Sequence, residues 1–507
     1  MKKIIGILIC YVAFRLLFAY YGYIATEEGT LLYNQRLAYS GLLPFIDYDA
    51  WNSLFHDYLV GWFHFFADAT IINQRVLGIG FAIGVFILTL RLSSQFKSES
   101  IMLWTAIFLT FGSWTYLYLS TIPYSEQTMT LFLLLSLAIL PADGEKGSYS
   151  VRRLASASIA TFATLLRSQA LFASLSIVFY LLLTEKTPKN KLFLALLSLG
   201  TIVLALSPFF IAGTEQTIYS FTWPFFADQI LVYQIGAQAT YSSYMLYLQE
   251  AFRDYGILLA LFFGGIVTVI CTVNKQRLGS LNKIILIMIL SVAVVLPGLV
   301  HKPPYASYIY PSVPFLAIVA AWTLVNISQK LKNNYVLYAI ISALLVQQFI
   351  LFPHYKFLKT SIKTIHSTPH DELDKIVQDV KKNSSKDDII LSFYSPIPLL
   401  ADRTIETGFN RDRFSLSILS TDLAKKHHLV SNEMLQEGFT KKRYKMVILT
   451  DDIENRFIVQ NNSFHKTLEI LHNHYDLWKV YDSLAMIESP KPNKLRIYKP
   501  KINSEYE

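Results

Sequence analysis

Residues 2–49 read KKIIGILICYVAFRLLFAYYGYIATEEGTLLYNQRLAYSGLLPFIDYD. An apolar run from residue 4 to residue 20, opened by Lys2-Lys3, gives way to the adjacent acids Glu27 and Glu28 and then to Asp47 and Asp49. The run is long enough for one membrane crossing. No small-residue cleavage site follows it, so it reads as an uncleaved first span and not as a signal peptide.

The pattern repeats outward from there. Of 507 residues 53% are hydrophobic, with 35 Phe and 31 Tyr. Apolar stretches fall at about 4–20, 75–92, 101–119, 124–140, 154–167, 169–184, 191–212, 254–273, 283–300, 311–327 and 334–352. They predict a polytopic α-helical membrane protein with about eleven transmembrane helices. The fifth and sixth are short and meet at Arg167-Ser168-Gln169, so a re-entrant pair competes there with two full crossings. Cys10 and Cys271 both lie in apolar runs and make neither a zinc spacing nor a disulfide framework.

The net charge of +9 is a topology signal. One set of loops holds fifteen Lys and Arg, from Lys2 to Lys332, and the opposite set holds Arg36, Arg75, Arg167, Arg253 and Lys302. The positive-inside rule makes the first set cytoplasmic. Glu27, Glu28, Asp47, Asp49, Asp57, Asp68 and Glu126 then face the outside, with Asp57 and Asp68 read as surface acids. This distribution excludes nucleic acid as a partner. Arg15, inside the first span, is expected to pair with an interior acid or to snorkel outward.

Two domains follow: a transmembrane domain, 1–353, whose first outer loop spans 21–74, and a soluble extracytoplasmic α/β domain, 354–507. The first loop carries two helix-like stretches, 30–39 and 53–66, that suit the membrane interface. The segment 213–253 is rich in Tyr219, Phe221, Trp223, Phe225, Phe226, Tyr233 and Tyr241, as an aromatic belt is. In the tail, 371–380 reads as a helix, 389–393 and 446–449 as buried strands, and 495–498 as an edge strand. His427-His428 and His472-x-His474 are thin metal signals and read as surface histidines.

Two readings of Glu27-Glu28 stay open. Thr26 can cap a helix beginning at Glu27, with acids complementing its dipole, although Gly29 stands where a capping box wants Glu or Gln. Alternatively, paired carboxylates provide a general base with an orienting or metal-holding partner. Glu126 opens a helix after Pro123, where the dipole also favours an acid. Arg167 interrupts an apolar stretch. His301-Lys302-Pro303-Pro304-Tyr305, with Tyr308 and Tyr310 beyond, offers donors to a phosphate at the interface, or Lys302 simply snorkels.

The order of first span, Glu27-Glu28-Gly29-Thr30, then Gly41-Leu42-Leu43-Pro44-Phe45-Ile46-Asp47 and Arg75 resembles the GT-C glycosyltransferases. The likeness is to the bacterial enzymes related to protein O-mannosyltransferases and aminoarabinose transferases. It covers about residues 5–350 and the general form of the tail. The resemblance implies inverting transfer of a sugar from a polyprenyl-phosphate carrier to a lipid, glycan or protein acceptor on the outer face of the cytoplasmic membrane. It makes Glu27 the general base in place of the family's Asp, with Glu28 and Glu126 as the further acids. Asp47, Asp49, Arg75, Arg167, His301, Lys302, Tyr305 and Tyr308 become substrate-binding candidates. No cofactor is required, and a divalent metal would fall to Glu27, Glu28 and Glu126. The competing classes are a surface-polysaccharide polymerase or ligase, and a lipid-linked-sugar transporter, which the lack of an internal repeat disfavours.

Overall fold

The apolar segments are helices in the computed structural model, which describes residues 2–50, 55–140, 149–220, 222, 241–273, 281–300, 306–331, 335–351, 368–411, 415–451, 453–455, 462–483 and 494–502. The chain divides into two units interleaved in sequence. One comprises Met1–Ala19, Arg75–Pro208 and Ala239–Tyr355, and the other Tyr20–Gln74, Phe209–Gln238 and Lys356–Glu507.

The first unit is helical. Among the described residues, five helices are long and apolar enough to cross a membrane: Lys2–Tyr21, Ile71–Ser94, Pro188–Ala212, Tyr244–Cys271 and Tyr308–Lys330. The stretch 101–119 is two helices, Glu99–Phe111 and Trp114–Leu119, because Ser113 caps the second by accepting from the Tyr116 amide. The stretch 283–300 likewise divides into Leu281–Ala293 and Leu296–Val300, where Pro297 starts a new helix. Around Arg167 the helix Tyr149–Leu166 passes through a short 3₁₀ turn into Leu171–Thr184. Helix Val313–Leu331 is almost wholly apolar and largely buried from Val313 to Val325, packing against Glu99–Phe111, Tyr241–Val273 and Leu281–Ala293.

Arg15 neither pairs with an acid among the described residues nor snorkels. It is fully buried, its guanidinium lies 3.6 Å over the Tyr11 ring, and it donates to Tyr11 Oη and Ser120 Oγ. The aromatic face and two hydroxyls replace the expected carboxylate.

The second unit is built on a five-stranded sheet, ordered β2-β1-β5-β7-β6, with β1 Ile389–Ser392, β2 Thr404–Ile405, β5 Met446–Thr450, β6 Tyr475–Asp482 and β7 Lys494–Pro500. β1 pairs in parallel with β2 and β5, while β7 is antiparallel to β5 and β6. A separate parallel pair joins β3 Leu416–Ser417 to β4 Val430–Ser431. β7 is therefore interior, where an edge strand was expected. β6 shields it, and Asp476, Lys479 and Asp482 break the apolar alternation that would have announced β6.

Alternate residues of this sheet face two cores. Leu391, Val447, Leu449 and Tyr498 join Leu435, Phe439, Leu468 and Leu471 from helices Asn432–Thr440 and Asn462–His474. Ile390, Met446, Ile448, Leu495 and Ile497 join Leu373, Ile376, Val377 and Val380 of helix Pro369–Lys382, which opens on a reciprocal Thr368–Asp371 capping box. The second core also contains Ile24, Leu32 and Ile71. The segment Tyr20–Gln74, which the sequence assigned to the membrane domain, thus shares a core with the tail.

Candidate functional site

Glu27 and Glu28 open helix Thr26–Tyr39, whose N-cap is Ala25. That start lies one residue earlier than expected and places Glu28 at the third helical position. Its Oε1 accepts the Ala25 amide at 2.9 Å, which is half of a capping box, since Ala25 offers no acceptor in return. Glu28 is fully buried and Glu27 half-buried.

The other acids of this segment divide by burial. Asp47 is exposed and accepts the Leu43 amide at 2.7 Å, closing the turn after Gly41. Asp49 is buried and pairs with Arg411 at 2.8 Å. Burial outweighs the guanidinium and pushes the Asp49 carboxyl up to about 6. Beside it, Asn410 Nδ2 donates to the Asp49 carbonyl and to Asn34 Oδ1 on the helix that carries the acids. Asp68 is exposed as expected, but Asp57 is buried, accepts from Tyr48 Oη at 3.2 Å, and has its carboxyl raised to about 7 by desolvation. It sits on the inward face of helix His56–Gly61, which the alternation of aromatics around it did not reveal.

In the first unit, Glu126 and Arg167 form a buried ion pair at 2.8 Å. Ser125 Oγ bridges them, accepting from Arg167 and donating to Glu126. Gln127 anchors this helix start by donating to the carbonyls of Gly78 and Ser120. Tyr310 is buried within electrostatic reach of both charges, and its hydroxyl has no hydrogen-bond partner among the described residues. Arg75 is buried and donates to the Phe18 and Ala19 carbonyls, at the C-terminal end of the first helix. Tyr308 is half-buried. His301, Lys302 and Tyr305 lie outside the described residues, as do Phe221, Trp223, Phe225, Phe226 and Tyr233.

The structure thus joins Glu126 to Arg167, and Asp49 to a residue the sequence did not single out. Arg411, Asn410, Tyr394 and Ser395 give no local signal, because their partners lie more than 360 residues away in sequence. His427 stacks on Tyr219 with ring centroids 4.1 Å apart, and His428 Nε2 meets the Ile46 carbonyl, so neither follows the surface reading fully.

The Glu126 carboxylate already carries a guanidinium, Glu28 spends an oxygen on its own helix start, and no group of three His, Cys, Asp or Glu ligands occurs among the described residues.

No protein-family model and no curated protein matches the chain. Solved structures do. ArnT from Cupriavidus metallidurans bound to undecaprenyl phosphate is 11% identical, with a TM-score of 0.58 over 98% of this chain and 97% of its own. The Archaeoglobus fulgidus oligosaccharyltransferase in complex with zinc and sulfate is 12% identical, with a TM-score of 0.54 over 95% of this chain and 72% of its own. The A. fulgidus AglB complex with an inhibitory peptide and a dolichol phosphate is 12% identical, with a TM-score of 0.52 over 99% and 74%. The chain shares its fold with these GT-C proteins along nearly its whole length.

Proposed function

We propose that this protein is a membrane glycosyltransferase that moves a sugar from a polyprenyl phosphate to a lipid, glycan or protein acceptor at the outer face of the cytoplasmic membrane. The observation that carries the reading is the fold shared over 98% of the chain with a structure that holds undecaprenyl phosphate. The acids at the start of helix Thr26–Tyr39 supply the chemistry. In this reading eleven spans place the N-terminus in the cytoplasm and residues 354–507 outside.

The reaction is an inverting displacement. An acceptor O–H or N–H attacks the anomeric carbon, the bond from that carbon to the phosphate oxygen breaks, and the acceptor proton passes to a carboxylate. Glu27, the half-buried acid of the pair and the one that stands in the place of the family's Asp, takes that proton, while Glu28 is fully buried at the helix start. Arg167, steered by Glu126, and Lys302 offset the charge that develops on the departing polyprenyl phosphate. Tyr308 and Tyr310, whose hydroxyl has no hydrogen-bond partner among the described residues, offer neutral donors for the same anion. Asp49 serves the fold of the loop through Arg411, and Arg75 serves the end of the first helix.

Mass spectrometry of cell-envelope glycans tests this reading. Deleting the gene should remove one sugar from one class of acceptor, wild-type protein should restore it, and Glu27→Gln should not. Unchanged glycans on deletion, or full restoration by Glu27→Gln, would refute it.

A further inference from the structure

The second unit holds the start of helix Thr26–Tyr39 from its own sheet. Tyr394 Oη donates to the Ile24 carbonyl at 2.8 Å, and Ser395 Oγ donates to the Thr26 carbonyl at 2.9 Å. Between these two grips lies Ala25, whose amide is held by Glu28. Ser395 Oγ also lies 3.4 Å from Thr30 Oγ1, one turn further along. All of these groups are buried.

Gly29 closes the contact. A Cβ at this position would stand 2.6 Å from Ser395 Oγ and as close to the Pro396 backbone, so only glycine allows the helix to approach. Tyr394 and Ser395 come just after Phe393, which follows the end of β1 at Ser392, and Tyr394 packs in the same core as Ile24 and Leu32. Ser392 Oγ accepts the Tyr394 amide and donates to its carbonyl, which fixes the turn that presents both hydroxyls. The grip is thus built on the turn that leaves the end of a buried interior strand.

We infer that Tyr394 and Ser395 are positioning residues for the acid pair, and that the tail acts in the reaction by setting where Glu27 stands. Neither residue is expected to touch substrate; both act through the backbone of residues 24–26. The inference rests on the proposed role of Glu27. A displacement of about 1 Å in a reacting group is enough to cost on the order of 10²-fold in rate. Each hydroxyl holds one backbone carbonyl of the helix start. Losing one frees the N-terminal turn without emptying the apolar core beneath it.

The test uses the full-length protein in detergent with a panel of undecaprenyl-phosphate sugars. Tyr394→Phe and Ser395→Ala each remove one oxygen. The expected result is a kcat lowered about 10- to 100-fold, with KM for the lipid donor within about twofold and the thermal midpoint nearly unchanged. Amide hydrogen exchange at residues 24–29 should rise about tenfold while the strands keep wild-type protection. An unchanged kcat with unchanged exchange at 24–29 overturns the inference. So does a loss in which kcat, donor binding and thermal midpoint fall together, since that is a folding defect. If Glu27→Gln keeps the wild-type rate, the role of Glu27 fails, whereas the exchange measurement still reads the grip by itself.

Discussion

Removing Arg411 isolates the cost of the buried charge beneath the acid-bearing loop. The Asp49 and Arg411 side chains are 2% and 3% exposed and 2.8 Å apart, so Arg411→Met leaves an ionised carboxylate in the core without its partner. Breaking one side of such a pair costs about 3–5 kcal/mol, whereas replacing both members is close to neutral. Arg411→Met should therefore destabilise the second unit by about 3–5 kcal/mol at pH 8, and Asp49→Asn with Arg411→Met should recover most of it. The pH dependence has a definite sign. The folded carboxyl of Asp49 is raised from 3.8 to about 6 in the wild type, and the loss of Arg411 raises it further. A group raised in this way is best tolerated below its unfolded value and becomes a burden as pH climbs through its folded value. The defect should thus shrink as pH falls from 8 towards 5. Denaturant melts of the full-length protein, followed by a label in the tail, measure it. A single-mutant loss under about 1 kcal/mol, or one that grows as pH falls, would refute the reasoning.

Asp57→Asn keeps an acceptor for Tyr48 Oη but removes the ionisation. With the Asp57 carboxyl raised from 3.8 to about 7, the variant should gain on the order of 4 kcal/mol relative to wild type at pH 8 and nothing below about pH 3, by thermal melts across that range. Gly29→Ala should push the helix start away from Ser395 and lower kcat at least 10-fold, while Gly41→Ala, in open space at a φ of 90°, should cost only stability. Glu126→Gln leaves Arg167 buried without its partner and should lower the thermal midpoint as well as transfer, with Glu126→Gln/Arg167→Gln recovering the midpoint but not transfer.

What the sequence made legible was local. The helices of the first unit follow long, mostly apolar runs, helix Pro369–Lys382 shows its i, i+3, i+4, i+7 spacing in Leu373, Ile376, Val377 and Val380, and β1 and β5 are apolar on both faces. The acids Glu27, Glu28 and Glu126 stood out because charge beside an apolar run needs a reason. Their partners did not stand out. Arg411 finds Asp49, and Ser395 finds Thr26, only once the sheet has closed, so nothing in the neighbouring residues reports the pairing. β6 escaped because a strand with only Tyr475 buried carries almost no apolar alternation. Helix Thr26–Tyr39 starts one residue before the position that a Thr26 hydroxyl cap implies, because Ala25 takes the N-cap and Glu28 reaches back to its amide.

The central claim is that Glu27 takes a proton as a sugar leaves a polyprenyl phosphate. Release of free undecaprenyl phosphate from undecaprenyl-phosphate sugars, measured with purified wild-type and Glu27→Gln protein at saturating acceptor, tests it most directly. Acceptor-dependent release by wild type, with a loss of at least about 10²-fold in Glu27→Gln at unchanged donor affinity, is predicted. Equal release by the two proteins would contradict it.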